Sequence, residues 1–317
     1  MAPKLPSETA PLKIGTRGSP LALAQAHETR TRLATAFDLP DAAFRIVVIK
    51  TTGDDRQMIE ADRPLKEIGN KGLFTREIEE ALLSGGIDIA VHSMKDMPVA
   101  QPGGLVLDCY LPREDVRDAF VSPSLSRLDD LPVGAVVGTS SLRRRAQLLN
   151  RRPDLNVVEF RGNVQTRLRK LADGVAEATF LAMAGLNRLA ADVPATPIDA
   201  DRMLPAIAQG AIGIERRADD SQMAAMLDAL HDAATGQQLA AERAFLAALD
   251  GSCETPIAGL AELRGGTLRL RGEILRTDGS DALADEASGP VADGPELGRA
   301  LAGSLLARAG PGFFDWR

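Results

Sequence analysis

Cysteine is almost absent: Cys109 and Cys253 are the only two in 317 residues, with no CxxC pair, so no disulfide framework is available to staple the fold. Histidine is equally scarce. His27, His92 and His231 stand far apart, which supports neither a structural zinc site nor a ligand cluster, and no metal is expected. Aromatic residues make up 3% of the chain, too few for a surface that stacks bases, and a net charge of -7 with a pI near 5.2 opposes tracking along a polyanion. No run approaches the ~20 uninterrupted apolar residues of a membrane span, and the opening MAPKLPSETAP lacks the apolar stretch of an export signal. The expectation is a cytoplasmic, monomeric protein in a reducing compartment, with neither a membrane nor a nucleic-acid partner.

What the chain does have is an ordinary globular composition, 44% apolar and 26% charged, over a length that exceeds one core. Short β-branched runs ending in Gly, Thr, Ser or Arg alternate with stretches of helical periodicity. LKIG precedes SPLALAQAHETRTRLATAF, GAVVGTS precedes SLRRRAQLL, VVEFRGN precedes VQTRLRKLA, and TFLAMAG precedes LNRLA. Such alternation predicts α/β domains with parallel sheets and ligands at the carboxyl ends of the strands. The text changes near 100–118 and again near 205–215, which reads as a chain leaving a first domain and returning to it. That gives three expected domains: 1–115 with 210–232, then 116–209, then a small α+β domain over 233–317. A hinged cleft is expected between the first two. In the third, IAGLAEL and TLRLRGEIL read as strands, and TDGSDALADEASGPVADGPELG reads as a loop.

Eight arginines fall between Arg143 and Arg169, a local basic site in an acidic protein. In GTSSLRRRAQLL, Ser140 or Ser141 would cap a helix that opens with Arg143, Arg144 and Arg145. Cations there oppose the helix dipole by roughly 0.3–1 kcal/mol each, which makes sense if an anion binds, although a solvated basic face reads equally well. Arg17 before the Ser19 cap, Arg161 and Arg167 in EFRGNVQTRL, and Arg188 in AGLNRL repeat the device at other strand ends. Forked guanidinium groups match carboxylates two bonds at a time, which points to a ligand with several of them. Lys95 and Asp96 follow the apolar strand IDIAVHS. By spacing alone they are a surface pair, but a carboxylate lodged among arginines would stay ionised and could stabilise a cation. Cys109 reads as a buried strand residue. Cys253, among small residues in GSCETP, reads by itself as an unreactive loop cysteine, since no adjacent base is visible.

Taken together, GTRGSPLALAQA, NKGLF, DIAVHSMKDMP, REDVRDAF, GTSSLRRRAQL, RGNVQTRL, AGLNRL, QGAIGIE, AAERAFL and GSCETPIAG resemble the porphobilinogen deaminase (hydroxymethylbilane synthase) family in order and spacing, from about residue 12 to about 262. The resemblance implies a fold whose first two α/β domains are like type II periplasmic binding proteins. It implies a dipyrromethane cofactor held by a thioether at Cys253, a catalytic Asp96, and Ser93 and Lys95 beside it. It also implies carboxylate binding by Arg17, Arg143, Arg144, Arg161, Arg167 and Arg188, with Ser19, Thr139, Ser140 and Ser141 as hydroxyl partners. Lys71 and Phe74 fall near the end of the family's mobile active-site loop. The implied reaction joins four porphobilinogen molecules head to tail with loss of ammonia, followed by hydrolytic release of hydroxymethylbilane. Gly251-Ser252-Cys253 and Ala208-Gln209-Gly210 depart from the usual Gly-Gly-Cys and Gly-Gln-Gly only by small residues. The hinged two-domain reading alone would favour a non-catalytic anion-binding protein, and a covalent pyrrole on Cys253 separates the two.

Overall fold

The structure is a computed structural model that describes residues 5–52, 75–252, 255–310 and 312–314. The chain divides into two compact units, one formed by its beginning, 75–114 and 211–236, the other by 115–210 and the residues from 237 onward.

The first unit holds β1 (Leu12–Thr16), α1 (Pro20–Phe37), β2 (Phe44–Val48), α2 (Arg76–Leu83), β3 (Ile89–Ser93), β4 (Leu105–Tyr110), β10 (Ile212–Arg217) and α6 (Ser221–Asp228). Ser19 caps α1 by accepting from the Ala22 N–H at 3.2 Å, and Pro20 takes the first helical position, where its missing N–H costs nothing. β3 is buried at four of its five positions, as a strand covered on both faces must be. Ile14, Leu33, Ile89 and Ile212 pack in one cluster, and Ile78, Leu82, Ile87 and Ala90 in another. The sheet runs β2-β1-β3-β10-β4, with β1 parallel to β2 and β3, and β10 antiparallel to β3 and β4.

The second unit contains β5 (Asp118–Val121), β6 (Val136–Gly138), α3 (Leu142–Arg151), β7 (Asn156–Val158), α4 (Val164–Ala172), β8 (Ala178–Ala182), α5 (Met183–Arg188) and β9 (Ala195–Pro197). Its sheet runs β7-β6-β8-β5-β9, again with one antiparallel strand, β5, in fourth place. The parallel pairing expected from the sequence holds for β1, β2 and β3 and for β6, β7 and β8, while β10 and β5 run antiparallel to their neighbours. β10 and β5 are the strands by which the chain enters each sheet from elsewhere, so no strand–helix–strand crossover obliges them to run parallel. The two sheets thus share one order, with the antiparallel strand in fourth place in each.

The same unit carries a smaller α+β part: α7 (Ala233–Ala248), which begins at the boundary, β11 (Ile257–Arg264), β12 (Thr267–Leu275), β13 (Ala282–Pro290) and α8 (Gly294–Arg308), with an antiparallel sheet ordered β11-β12-β13. Gly265 and Gly266, with φ of 56° and 80°, make the tight hairpin turn between β11 and β12. The loop expected over 277–298 is corrected: ALADEASGP is β13, and α8 starts at Gly294. Ala, Asp and Glu have little strand preference, but β13 is an edge strand fully paired with β12, and an edge tolerates polar residues that a central strand would not. Among the described residues, no helix is long and apolar enough to cross a membrane.

Candidate active site

β1 and β3 are neighbours and parallel, Ile14 opposite Ile89, so the segments that follow them emerge side by side at one edge of the first sheet. β1 is followed by Arg17 and the Ser19 cap. β3 is followed by a single 3-10 turn, Met94–Asp96. A pocket forms where they meet, lined by Arg17, Ser19, Gln25, His92, Ser93 and Asp96 among others, with Lys95 half-buried in the same turn. Five of the sequence-derived site residues therefore share one corner of the first unit.

Gln25 and His92 were not singled out from the sequence. Gln25 is buried in α1; its amide nitrogen donates to Ser93 Oγ at 2.9 Å, and Ser93 Oγ donates back to Gln25 Oε1 at 3.0 Å. Its signal lay in the pattern: one turn after Leu21 the apolar face of α1 carries an amide instead of a hydrocarbon. His92 pairs through Nε2 with Glu215 Oε2 at 3.1 Å, both side chains being buried. Nearby on α2, burial pushes the Glu79 carboxyl up, and the Glu215 carboxylate adds to that, against the opposing Thr75 hydroxyl and His92.

In the second unit the arginines at the start of α3 already have an anion. Asp118, with no exposed surface, receives Arg143 Nη2 on Oδ2 at 2.8 Å, and Arg144 Nη2 and Nε on Oδ1 at 2.7 and 3.1 Å. Gln209 Nε2 adds a fourth bond at 3.1 Å. Arg143 also donates to the Leu204 carbonyl and to Gln147 Oε1, and Arg144 to the Phe180 carbonyl. Only 4% of Arg143 and 5% of Arg144 is exposed, so the anion that the helix N-terminus calls for is a side chain of the chain itself. Burial alone would raise the Asp118 carboxyl; the two guanidinium groups outweigh it and hold it well below the usual carboxylate range. The only trace of this pairing in the sequence is a carboxylate at the head of the buried strand DAFV, which nothing local links to the arginines.

The hydroxyl groups before α3 build its turn. Thr139 Oγ1 accepts from Ser141 N, Ser140 Oγ from Phe160 N at 2.9 Å, and Ser141 Oγ from Arg144 N as the helix cap. Arg161 is buried. Arg167 Nε donates to the Gly162 carbonyl at 2.9 Å on α4, which Asn163 caps, and Arg188 at the end of α5 donates to the Gly210 carbonyl at 3.0 Å. Cys253, Lys71 and Phe74 lie outside the described residues. On either side of Cys253, Ser252 N donates to Thr255 Oγ1 at 3.0 Å, and that hydroxyl donates to the Ser252 carbonyl at 2.7 Å. No group of three or more possible metal ligands occurs among the described residues. The pocket sets the Arg17 guanidinium and the Ser19 and Ser93 hydroxyls, donors for an anionic group, beside the Asp96 carboxylate, an acceptor for an N–H group or a cation.

Comparison with known proteins gives the chain its family. A family model described as the porphobilinogen deaminase dipyrromethane cofactor-binding domain matches residues 12–225, and one described as the porphobilinogen deaminase C-terminal domain matches 237–307. The porphobilinogen deaminase of Paracoccus denitrificans is 66% identical over 99% of both chains, and the chloroplastic porphobilinogen deaminase of Pisum sativum is 52% identical over 98% of this chain and 85% of its own. Among solved structures, the periplasmic VFT2 domain of Bordetella pertussis BvgS is similar at 16% identity over 73% of this chain and 91% of its own, with a TM-score of 0.40. With both models matched in order along nearly its whole length, the chain belongs to the porphobilinogen deaminase family.

Proposed function

We propose that this protein condenses four porphobilinogen molecules head to tail, releasing ammonia at each step and finally hydroxymethylbilane, as a monomeric cytoplasmic enzyme of tetrapyrrole synthesis. The observation that carries the reading is the pocket where Asp96, Ser93, Arg17 and Ser19 meet, in a chain 66% identical to a porphobilinogen deaminase. Cys253 is the proposed thioether attachment point of dipyrromethane, which when bound supplies the nucleophilic pyrrole carbon. The division into domains 1–115 with 210–232, 116–209 and 233–317 belongs to the same proposal, as does a lid carrying Lys71 and Phe74.

Each residue then has a definite task. Arg17, Arg161, Arg167 and Arg188 hold carboxylates, each a forked donor against a planar acceptor. Lys95, Ser19, Thr139, Ser140 and Ser141 add charge and hydroxyl contacts. Arg143 and Arg144 belong to the same proposed carboxylate-binding set, and their ion pairs with Asp118 fix the turn that presents those hydroxyls. Asp96 faces the substrate methylene carbon. As the C–N bond of the protonated aminomethyl group breaks, the bonding pair leaves with the nitrogen as ammonia, the positive charge passes to the pyrrole ring, and the Asp96 carboxylate stabilises that charge. At ~4 Å and an effective dielectric of ~20, this is worth about 4 kcal/mol, on the order of a thousandfold in rate when realised only in the transition state. Replacing Asp96 by Asn in the holoenzyme is therefore expected to lower kcat about a thousandfold while KM for porphobilinogen stays near the parent value. Turnover within about tenfold of the parent would remove Asp96 from this role.

A further inference from the structure

We propose that Gly213 and Met94 form the seat that sets the position of Asp96, and are thus positioning residues for the reaction; this inference rests on the reading of Asp96 given above. Met94 opens the three-residue turn that Asp96 ends, and its side chain is buried in the core while Asp96 lines the pocket. The Met94 N–H donates to the Ala211 carbonyl at 3.1 Å, extending the β3–β10 ladder in which Ser93 faces Ile212 and His92 faces Gly213. Met97 N closes the turn on the Met94 carbonyl at 3.2 Å. The turn is thus tied to β10 at its first residue and, through the Gln25–Ser93 pair, to α1 just before it.

The Met94 side chain rests directly on Gly213. A Cβ built there would stand 2.2 Å from Met94 Sδ and 3.1 Å from its Cγ, with Leu107 Cδ2 at 3.0 Å. Gly213 is not among the positive-φ glycines, so its backbone does not demand glycine; the missing side chain is what the site uses. Methionine is a pliable side chain, but this one is 1% exposed, and its sulfur must move within a packed interior while its Cγ is already in tight contact. Restoring ordinary contact needs a shift of about 1 Å, and because Met94 is itself the first residue of the turn that ends in Asp96, a displaced Met94 carries that turn with it. An electrostatic stabiliser works only when it is already in place, and a misplacement of about 1 Å costs on the order of a hundredfold in rate.

The test is steady-state kinetics on holoenzyme variants, with thermal unfolding recorded alongside. Gly213→Ala is expected to lower kcat by about a hundredfold with KM for porphobilinogen nearly unchanged, because the carboxylate contacts remain. Met94→Ala empties the seat instead of crowding it and is expected to lower kcat about tenfold. The double variant, whose new methyl occupies part of the space the thioether left, is expected to turn over faster than either single one, a rescue that general loss of stability would not produce. Should Gly213→Ala fail to fold, Met94→Ala and the double variant carry the comparison. If Asp96→Asn is inactive yet both single variants keep kcat within about twofold of the parent, the seat is overturned. Normal turnover by Asp96→Asn overturns the underlying reading of Asp96 instead.

Discussion

Asp118 opens β5 wholly buried, and Arg143, Arg144 and Gln209 all depend on it. Removing one member of a buried charge group leaves the others unpaired in a poor solvent, at a cost of about 3–5 kcal/mol. Asp118→Asn, nearly the same shape, is therefore expected to lose about that much stability in urea unfolding at neutral pH. The pH dependence has a definite sign. The native Asp118 carboxyl lies below its unfolded value, so its contribution is complete above the unfolded value near ~3.9 and is lost as pH falls through that value toward the native one. The stability difference between parent and Asp118→Asn should stay constant at neutral and mildly acidic pH and shrink at still lower pH. A difference that grows on acidification contradicts the pairing. The arginines of α3 were legible in the sequence as a cluster that needs an anion, but their partner was not, because Asp118 stands 25 and 26 residues away and only the sheet brings it close. The place of Asp96 was legible, since it follows its strand directly and strand ends are where crevice residues fall, but by spacing alone it read as a surface pair with Lys95, and only the resemblance gave it a role.

At the scale of elements, apolar periodicity located most strands and helices of both five-stranded sheets. It failed where tertiary pairing overrides composition. β13 alternates inward and outward against β12 from Thr267↔Pro290 to Leu275↔Ala282, a register that no local signal announced. Strand direction was also hidden, since β5 and β10 are antiparallel only because of where the chain enters each sheet. One helix ties such pieces together. Glu242 on α7 is buried, and its two oxygens accept from Ala208 N at 2.7 Å and Ala261 N at 2.8 Å, joining the segment before β10 to β11. Ala208 sits there at a φ of 58°, a strained conformation for a residue with a side chain, so the bond has something to hold. Glu242→Ala leaves both N–H groups buried without that acceptor, with an expected loss of about 1–3 kcal/mol for each in urea unfolding. A loss below about 1 kcal/mol in total would mean that the segment relaxes freely without the carboxylate.

For the whole molecule, the described chain crosses between its two units near 115, 210 and 236, and the strand-end arginines proposed to bind carboxylates fall in both five-stranded sheets. Everything in this reading depends on a primer held at Cys253, since without it the same arginines would describe a simple anion-binding protein. The most direct test is the intact mass of the purified protein, followed by peptide mapping, with Cys253→Ser in parallel. Two linked pyrrole units on the Cys253 peptide of the parent, absent from Cys253→Ser, are the predicted result. An unmodified Cys253 in protein that also fails to load when given porphobilinogen would contradict it.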